Sequence, residues 1–381
     1  MTKNTGDAFG RLPEELRIKI IKLTPDSLSL RSLAHASPAM GRVLDRYPLK
    51  IVEVILNASI PLATCRIIYA VYKGRFSRFP ASLSEAQKVA EIDSTKVDEM
   101  HSSRLDQAAA VRSLLATIEN VHAWSHACLE HLIEKSMELR PSTLIKNGAG
   151  RTSREEFEKA ESRKDYLPQY TGPPLWVEEQ RMIKAFWRLQ FLLELQDAGN
   201  NGRLGTYWSG QEVDMLFGSS PDGFYDVSGF EREQILTACD FLGAVTSRTI
   251  PSVEAVHDNA RSLPAIHWVE RAVPRCTCAE PPFFELNKDA FSQGPDNLNR
   301  APWSYHFHHA MSTTDGWLDG CPLTLVYPFR HWRKYGFAIW DEKRMADLGM
   351  RHPKRRAIGS NSLPYSFRWW SILTTEDLRE D

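Results

Sequence analysis

The residues whose types and spacing come closest to metal chemistry are a cysteine pair and a histidine cluster. Cys276 and Cys278 are separated by one residue, and His306, His308 and His309 follow further along the chain. Zinc prefers thiolate and imidazole ligands, but structural zinc sites usually combine ligand pairs at matched spacing, and the second cysteine pair is missing. We therefore interpret these side chains as reduced thiols and hydrogen-bonded histidines and predict no metal or other cofactor. A zinc site built from the five residues remains the alternative.

Motifs for catalysis do not stand out elsewhere. Gly202, Gly205 and Gly210 lack the spacing of a dinucleotide-binding or phosphate-binding glycine loop. The sequence also has no nucleophile elbow, zinc-protease or kinase signature. The basic cluster from His352 to Arg356 is typical of a solvated charge run, with nuclear import or phosphate contact as the alternatives. We predict no catalytic residues and a chain that is not an enzyme.

Composition and charge bound the class of protein. The chain has 381 residues, of which 42% are hydrophobic and 25% charged, so it can bury a sizeable core. Lys and Arg number 47 against 48 Asp and Glu, a net charge of -1, which gives no electrostatic reason to expect a nucleic-acid partner.

The cellular compartment is predicted from what the chain lacks. Its N-terminus has no apolar core of signal-peptide length, and no apolar run reaches the ~18–20 residues of a membrane span. The six cysteines are dispersed, which favours reduced thiols over a disulfide framework. We expect a protein of the cytoplasm, the nucleus or both, with no membrane partner.

The elements that would position functional residues are mainly helices, with few or no strands. Apolar residues at helical spacing predict helices over residues 105–139, 176–196, 228–247 and 335–350. Residues 49–75 are also helical in rhythm, with Pro61 opening a new helix. Residues 141–175 predict a mobile surface loop. No repeat of 20–50 residues is present, which disfavours leucine-rich-repeat, propeller and kelch receptors.

The N-terminal segment has the most specific pattern, because it predicts three short helices. Pro13 suits the first turn of a helix in which Leu16, Ile20 and Leu23 recur at helical spacing, with Leu12 one turn earlier. This helix should stop near Thr24-Pro25, since the residue before a proline is disfavoured in a helix.

The second and third helices have clear start signals. Asp26 and Ser27 are candidate N-caps for a helix whose apolar residues include Leu28, Leu30 and Leu33. Ser37 is the expected N-cap of the third helix, with Pro38 as its first residue. Each helix is too short to be stable alone, so the three must pack together and against further residues.

This segment resembles the F-box. The family begins with Leu-Pro, one residue, Glu and Leu, matched by Leu12, Pro13, Glu15 and Leu16. It continues with an aliphatic pair, matched by Ile20-Ile21, a leucine-rich second helix, and a small residue plus Ser or Cys, matched by Ala36-Ser37. Met40 stands where animal F-boxes often carry Trp, and this variant is similar to F-box-like proteins of filamentous fungi.

The resemblance implies a domain organisation and a partner. Residues 8–50 would be the F-box, and residues 51–381 an α-helical region that recruits a target protein. The F-box would bind the Skp adaptor and, through it, a cullin, making the chain a substrate receptor of a Skp–cullin–F-box ubiquitin ligase. An adaptor-bound scaffold, or a small-molecule binder or enzyme with an F-box-like N-terminus, are the alternatives. The residues expected to contact the adaptor are Leu12, Pro13, Leu16, Ile20, Leu28, Leu30 and Leu33.

Overall fold

The structure is a computed structural model. It describes residues 7–76, 78–91, 104–140, 167–205, 208–247, 302 and 329–350, and the side chains of these except 104–106, 246 and 247. The described residues are mainly helical, as predicted, and contain no strand. Most of the predicted loop at 141–175, the Cys276/Cys278 pair, the histidine cluster at 306–309 and the basic cluster at 352–356 lie outside the described residues.

After a short 3-10 helix, Ala8–Arg11, thirteen α-helices follow along the described parts of the chain. They are α1 Glu14–Lys22, α2 Ser27–Ala36, α3 Pro38–Arg46, α4 Pro48–Ser59, α5 Leu62–Phe76, α6 Leu83–Gln87, α7 Arg104–Glu138, α8 Trp176–Asn200, α9 Gly210–Gly218, α10 Pro221–Phe224, α11 Gly229–Ser247, α12 Arg330–Arg333 and α13 Glu342–Asp347. The three long helices predicted from apolar periodicity are therefore present as α7, α8 and α11.

The helix starts follow local chemistry. Asp26 accepts a hydrogen bond from the backbone N–H of Ser29 at 2.7 Å and caps α2, and Ser37 accepts one from Met40 at 3.2 Å and caps α3. Pro38 is the first residue of α3, as predicted. Pro13 differs slightly from the prediction because it precedes α1 as its N-cap residue, and the helix begins at Glu14.

The chain forms two compact units, and both are discontinuous in sequence. The first contains the described parts of Met1–His126, Ile183–Asp226 and Val245–Pro295, and the second those of Ala127–Met182, Val227–Ala244 and Asp296–Asp381. The residues predicted to form the F-box, 8–50, all belong to the first unit. In that unit α4 packs against α1, α2 and α3, and its buried residues are Pro48, Ile51, Val52, Ile55 and Leu56.

A buried ion pair helps to hold the first unit together. Arg75 on α5 is paired with Glu194 on α8, and both side chains are largely buried. Arg75 also donates to Thr117 Oγ1 on α7 at 2.8 Å, and Gln190 donates to the same Glu194 oxygen at 2.7 Å. A buried charge pair is stable only when its remaining polar atoms are also hydrogen-bonded, and these contacts supply those bonds.

The second unit corrects one helix prediction. Residues 335–350 do not form a single helix, because the chain turns at Gly336, where φ is +82°, and α13 starts only after Asp341. A Cβ at Gly336 would lie 2.3 Å from the Trp340 indole, so only glycine fits this close approach. Large apolar residues of this stretch are nevertheless buried: Phe337, Ile339, Trp340, Met345 and Leu348.

Candidate functional site

Helix α1 has one buried face and one apolar face that is open to solvent. Ile21 is completely buried, whereas Leu16 is 47% and Leu23 is 73% exposed. Leu16, Ile20 and Leu23 are spaced by four and three residues, so they lie along one side of the helix. We call these three residues, with Leu12 one turn before them, the aliphatic stripe. A row of exposed and half-buried aliphatic side chains is a common mark of a protein-binding surface.

The predicted adaptor-binding residues are distributed over three levels of burial. Leu16 and Pro13 are exposed, so both are accessible to a partner. Four residues are half-buried and offer part of their surface: Leu12, Ile20, Leu28 and Leu33.

Leu30 differs from the other six because it is completely buried. In a helix, residues two positions apart point in nearly opposite directions, so Leu28 and Leu30 on α2 cannot share a face. The leucine-rich pattern of α2 does not reveal which of them faces the core. The structure places Leu30 in the core, and we leave it out of the docking surface.

Leu23 is an exposed apolar residue that the predicted set omitted. It is the last member of the helical series that begins at Leu16, but the sequence pattern alone did not separate a surface leucine from a core leucine. Its place beside Thr24 explains its exposure, since α1 ends at Lys22 and the chain turns there. The Thr24 hydroxyl donates to the carbonyl of Ile21 at 2.7 Å and closes that turn.

Asp7 fixes the N-terminal end of the stripe. Its carboxylate accepts hydrogen bonds from the Ala39 N–H at 2.8 Å, from the Ser37 hydroxyl at 2.9 Å and from the Phe9 N–H at 3.1 Å. These bonds tie the short 3-10 helix that precedes Leu12 to the start of α3. The hydrogen bond from Ala39 is the main reason why the pKa of Asp7 lies below its ordinary value.

A second carboxylate fixes the start of α1. Glu14 accepts hydrogen bonds from the Arg46 guanidinium and from the Tyr47 hydroxyl, the latter at 3.2 Å. The Arg46 hydrogen bond lowers the pKa of Glu14 and raises that of Arg46. Because Arg46 is the last residue of α3, this contact holds the N-terminus of α1 against the C-terminus of α3.

The three N-terminal helices are in turn fastened to α7. Arg112 forms a two-point ion pair with Asp45 at the end of α3, with both N–O distances 2.9 Å. Arg31 on α2 is paired with Glu119, two turns further along α7. Exposed pairs such as these contribute little free energy each, but two of them on one helix face define its orientation.

Buried charged residues of the second unit are hydrogen-bonded to one another and to the backbone. Glu178 is completely buried and accepts hydrogen bonds from Arg344 Nε at 2.8 and 3.0 Å and from the N–H groups of Leu175 and Asp341. Burial raises the pKa of Glu178, and it raises that of its neighbour Glu179 to about 7, with the charge of Glu178 adding to the effect. Because Glu178 accepts four hydrogen bonds from these three donors, its buried carboxylate is fully engaged within the fold.

Two further chemical properties concern the described residues only. The described residues contain no group of three or more His, Cys, Asp or Glu side chains arranged to hold a metal ion. No helix among them combines the length and the apolar character that crossing a bilayer requires.

The chain was compared with protein-family models, with curated proteins and with solved structures, and none of the three comparisons gave a match. The functional argument therefore depends on the residues of the chain itself.

Proposed function

We propose that this chain is an F-box adaptor that serves as a substrate receptor of a Skp–cullin–F-box ubiquitin ligase. The observation that carries the proposal is the aliphatic stripe on α1. It is exposed at Leu16 and Leu23, and it contains the leucines of the Leu-Pro-x-Glu-Leu motif that resembles the F-box. The helix pattern agrees with the proposal, since three short capped helices follow that motif.

The docking surface consists of the stripe, with Pro13 at one end and the half-buried Leu28 and Leu33 on α2. An apolar groove on the Skp adaptor would cover it in the manner of helix-in-groove recognition. Burying a leucine completely contributes roughly 1.5–3 kcal/mol, so a few such side chains supply much of the affinity of an interface of about 800 Å² per partner.

The mechanism of such a receptor is positional. The N-terminal helices attach the chain to the adaptor and cullin, and residues beyond 50 hold a target protein near the ubiquitin-loaded enzyme. The rate gain comes from effective concentration and orientation, and the chain itself makes no covalent bond.

Point substitutions test the proposal better than removal of the N-terminal helices. Deleting residues 1–50 would expose the buried side of α4, so a loss of binding could reflect unfolding. Leu16→Asp and Leu23→Asp instead place a carboxylate on the exposed stripe. Leu62→Asp is a matched control, because Leu62 is 53% exposed and lies on α5 in the same unit.

The measurement is the affinity of the purified full-length chain for purified Skp adaptor. We expect Leu16→Asp and Leu23→Asp each to weaken binding at least about tenfold, equal to about 1.4 kcal/mol, while Leu62→Asp binds as the parent chain does. All three variants should retain the parent helix content by circular dichroism. The proposal fails if the parent chain does not bind the adaptor, or if Leu62→Asp weakens binding as much as the stripe substitutions.

A further inference from the structure

The charge of the N-terminal segment differs from that of the whole chain. Residues 8–50 contain eight Lys and Arg side chains but only four Asp and Glu, so they carry a net charge of +4 in a chain whose total is -1. The rest of the chain is therefore acidic on balance. A basic segment in an otherwise acidic chain attracts a negatively charged partner to that segment in particular.

Most carboxylates of this segment are already engaged within the fold. Glu14 and Asp45 form ion pairs with arginines, and Asp26 is the N-cap of α2. Glu15 is the remaining carboxylate of the segment, and it is exposed. The positive charge of the segment is therefore only partly neutralised from within.

Lys19 and Lys22 on α1 keep their charge available to a partner. Lys19 is exposed and Lys22 is half-buried. Within the described part of the chain, neither side chain forms an ion pair. Both lie in the last turn of α1, where a cation complements the negative end of the helix dipole. That interaction stabilises the helix but leaves the lysine charges without a counter-ion.

Lys19 borders the aliphatic stripe. It lies three residues after Leu16 and four before Leu23, and residues at these separations are neighbours on a helix surface. Lys22 continues the same row three residues further on, and Glu15 begins it four residues before Lys19. The row is thus acidic at the start of α1 and basic at its end, beside Leu23, the most exposed of the large hydrophobic residues that the structure describes.

We propose that the groove that receives the aliphatic stripe has an acidic rim opposite Lys19 and Lys22. The partner surface is then apolar at its centre and negatively charged at this edge. The inference rests on the proposed function, and it names the chemistry of the adaptor surface. The apolar contacts determine how long the complex lasts and the charges how fast it forms, since complementary charge mainly raises the association rate.

A membrane with anionic headgroups presents related chemistry, because an amphipathic helix with basic residues beside its apolar face also suits a lipid surface. A protein groove fits this chain better. Helix α1 has only nine residues, and its Ile21 side is buried in the protein, which leaves few side chains to enter a bilayer.

The test measures the association and dissociation rates of the full-length chain with purified Skp adaptor by surface plasmon resonance. Raising the salt concentration from about 0.1 M to about 1 M shortens the screening length from about 10 Å to about 3 Å. We expect the association rate to fall at least about tenfold over this range and the dissociation rate to change less than about twofold.

Substitutions locate the effect on α1. At about 0.1 M salt, Lys19→Glu and Lys22→Glu should each lower the association rate at least about threefold, and at about 1 M salt both should approach the parent rate. A damaged fold would instead lower binding at both salt concentrations. Lys19→Arg keeps the charge and should associate as the parent does. Lys343→Glu is the control for total charge and should leave the rate unchanged, because Lys343 is exposed but lies in the second unit.

The outcomes separate this inference from the function on which it rests. An adaptor that does not bind at either salt concentration overturns both. Binding whose association rate is independent of salt and of the two lysine substitutions overturns the acidic rim and leaves the adaptor proposal in place.

Two further results would also overturn the acidic rim. An equal effect of Lys343→Glu would assign the salt dependence to the total charge of the chain. Binding to vesicles of anionic phospholipid that is lost in Lys19→Glu would assign the lysines to a membrane surface.

Discussion

The carboxylate of Asp7 accepts a hydrogen bond of 2.8 Å from the backbone N–H of Ala39, 32 residues further along the chain. Ser37 is the local N-cap of α3, and its hydroxyl donates to the same carboxylate at 2.9 Å. The N–H groups at the start of α3 have no partner within the helix, and two side chains accept hydrogen bonds from them. Ser37 lies directly before the helix, and Asp7 comes from the distant N-terminal segment.

Asp7→Asn should lower the melting temperature at neutral pH, because the amide loses the charge that strengthens these hydrogen bonds. The pKa of Asp7 is lowered in the folded chain, so its stabilising contribution is present above the pKa of an unfolded Asp, about 3.9. The contribution is lost as the pH falls through the lower folded pKa. Thermal melts from pH 7 to pH 2 should therefore show the two chains converging in acid. A difference that stays constant to pH 2 would show that the carboxylate charge is not responsible.

Leu30→Ala should mainly reduce the stability of the fold, whereas Leu16→Ala should mainly reduce adaptor binding. Leu30 is completely buried, so its truncation should lower the free energy of unfolding by about 2–5 kcal/mol. Leu16 is largely exposed, so its truncation should change that free energy by no more than about 0.5 kcal/mol while weakening adaptor binding. Urea denaturation and the adaptor titration separate the two effects. Equal destabilisation by both changes would make Leu16 a core residue.

Gly336→Ala should be much more destabilising than Gly172→Ala, although both glycines have φ near +80°. A Cβ at Gly172 meets nothing within 4 Å, so only the left-handed backbone is strained, at a cost of about 1 kcal/mol. A Cβ at Gly336 would also overlap the Trp340 indole, adding about 1–3 kcal/mol. Urea denaturation followed by tryptophan fluorescence measures both. Similar losses for the two variants would mean that Trp340 moves aside freely.

Arg344→Met should lower the free energy of unfolding by about 3–5 kcal/mol, because it leaves the completely buried Glu178 without its cation. Burial already raises the pKa of Glu178, and loss of Arg344 raises it further, so a proton can replace the missing charge at lower pH. The penalty should therefore be smaller at pH 5 than at pH 8. In the double variant with Glu178→Leu, most of the loss should be recovered. A penalty independent of pH would assign the effect to packing of the arginine side chain.

Local sequence chemistry predicted the helices well. Asp26 and Ser37 mark helix starts through bonds to residues three positions away, and Pro38 is the first residue of α3. Long apolar periodicity identified α7, α8 and α11. These features depend on neighbours in sequence, which is why they can be predicted from it.

The features that sequence reasoning missed depend on distant residues. Leu28 and Leu30 look equivalent in sequence, and only packing decides which one is buried. The break at Gly336 follows from the close approach of Trp340, and Asp7 reaches its partner across 32 residues. The first unit likewise combines residues before 127 with residues after 182, a long-range association that no local sequence pattern shows.

The Arg75–Glu194 pair joins residues 119 positions apart within the first unit, and this separation has a consequence for synthesis on the ribosome. The α5 helix emerges from the exit tunnel long before its partner on α8, by roughly 6–24 s at translation rates of about 5–20 residues per second. During this interval the side chain of Arg75 lacks the carboxylate with which it pairs in the folded chain. The first unit therefore completes its fold only after part of the second unit has already been translated.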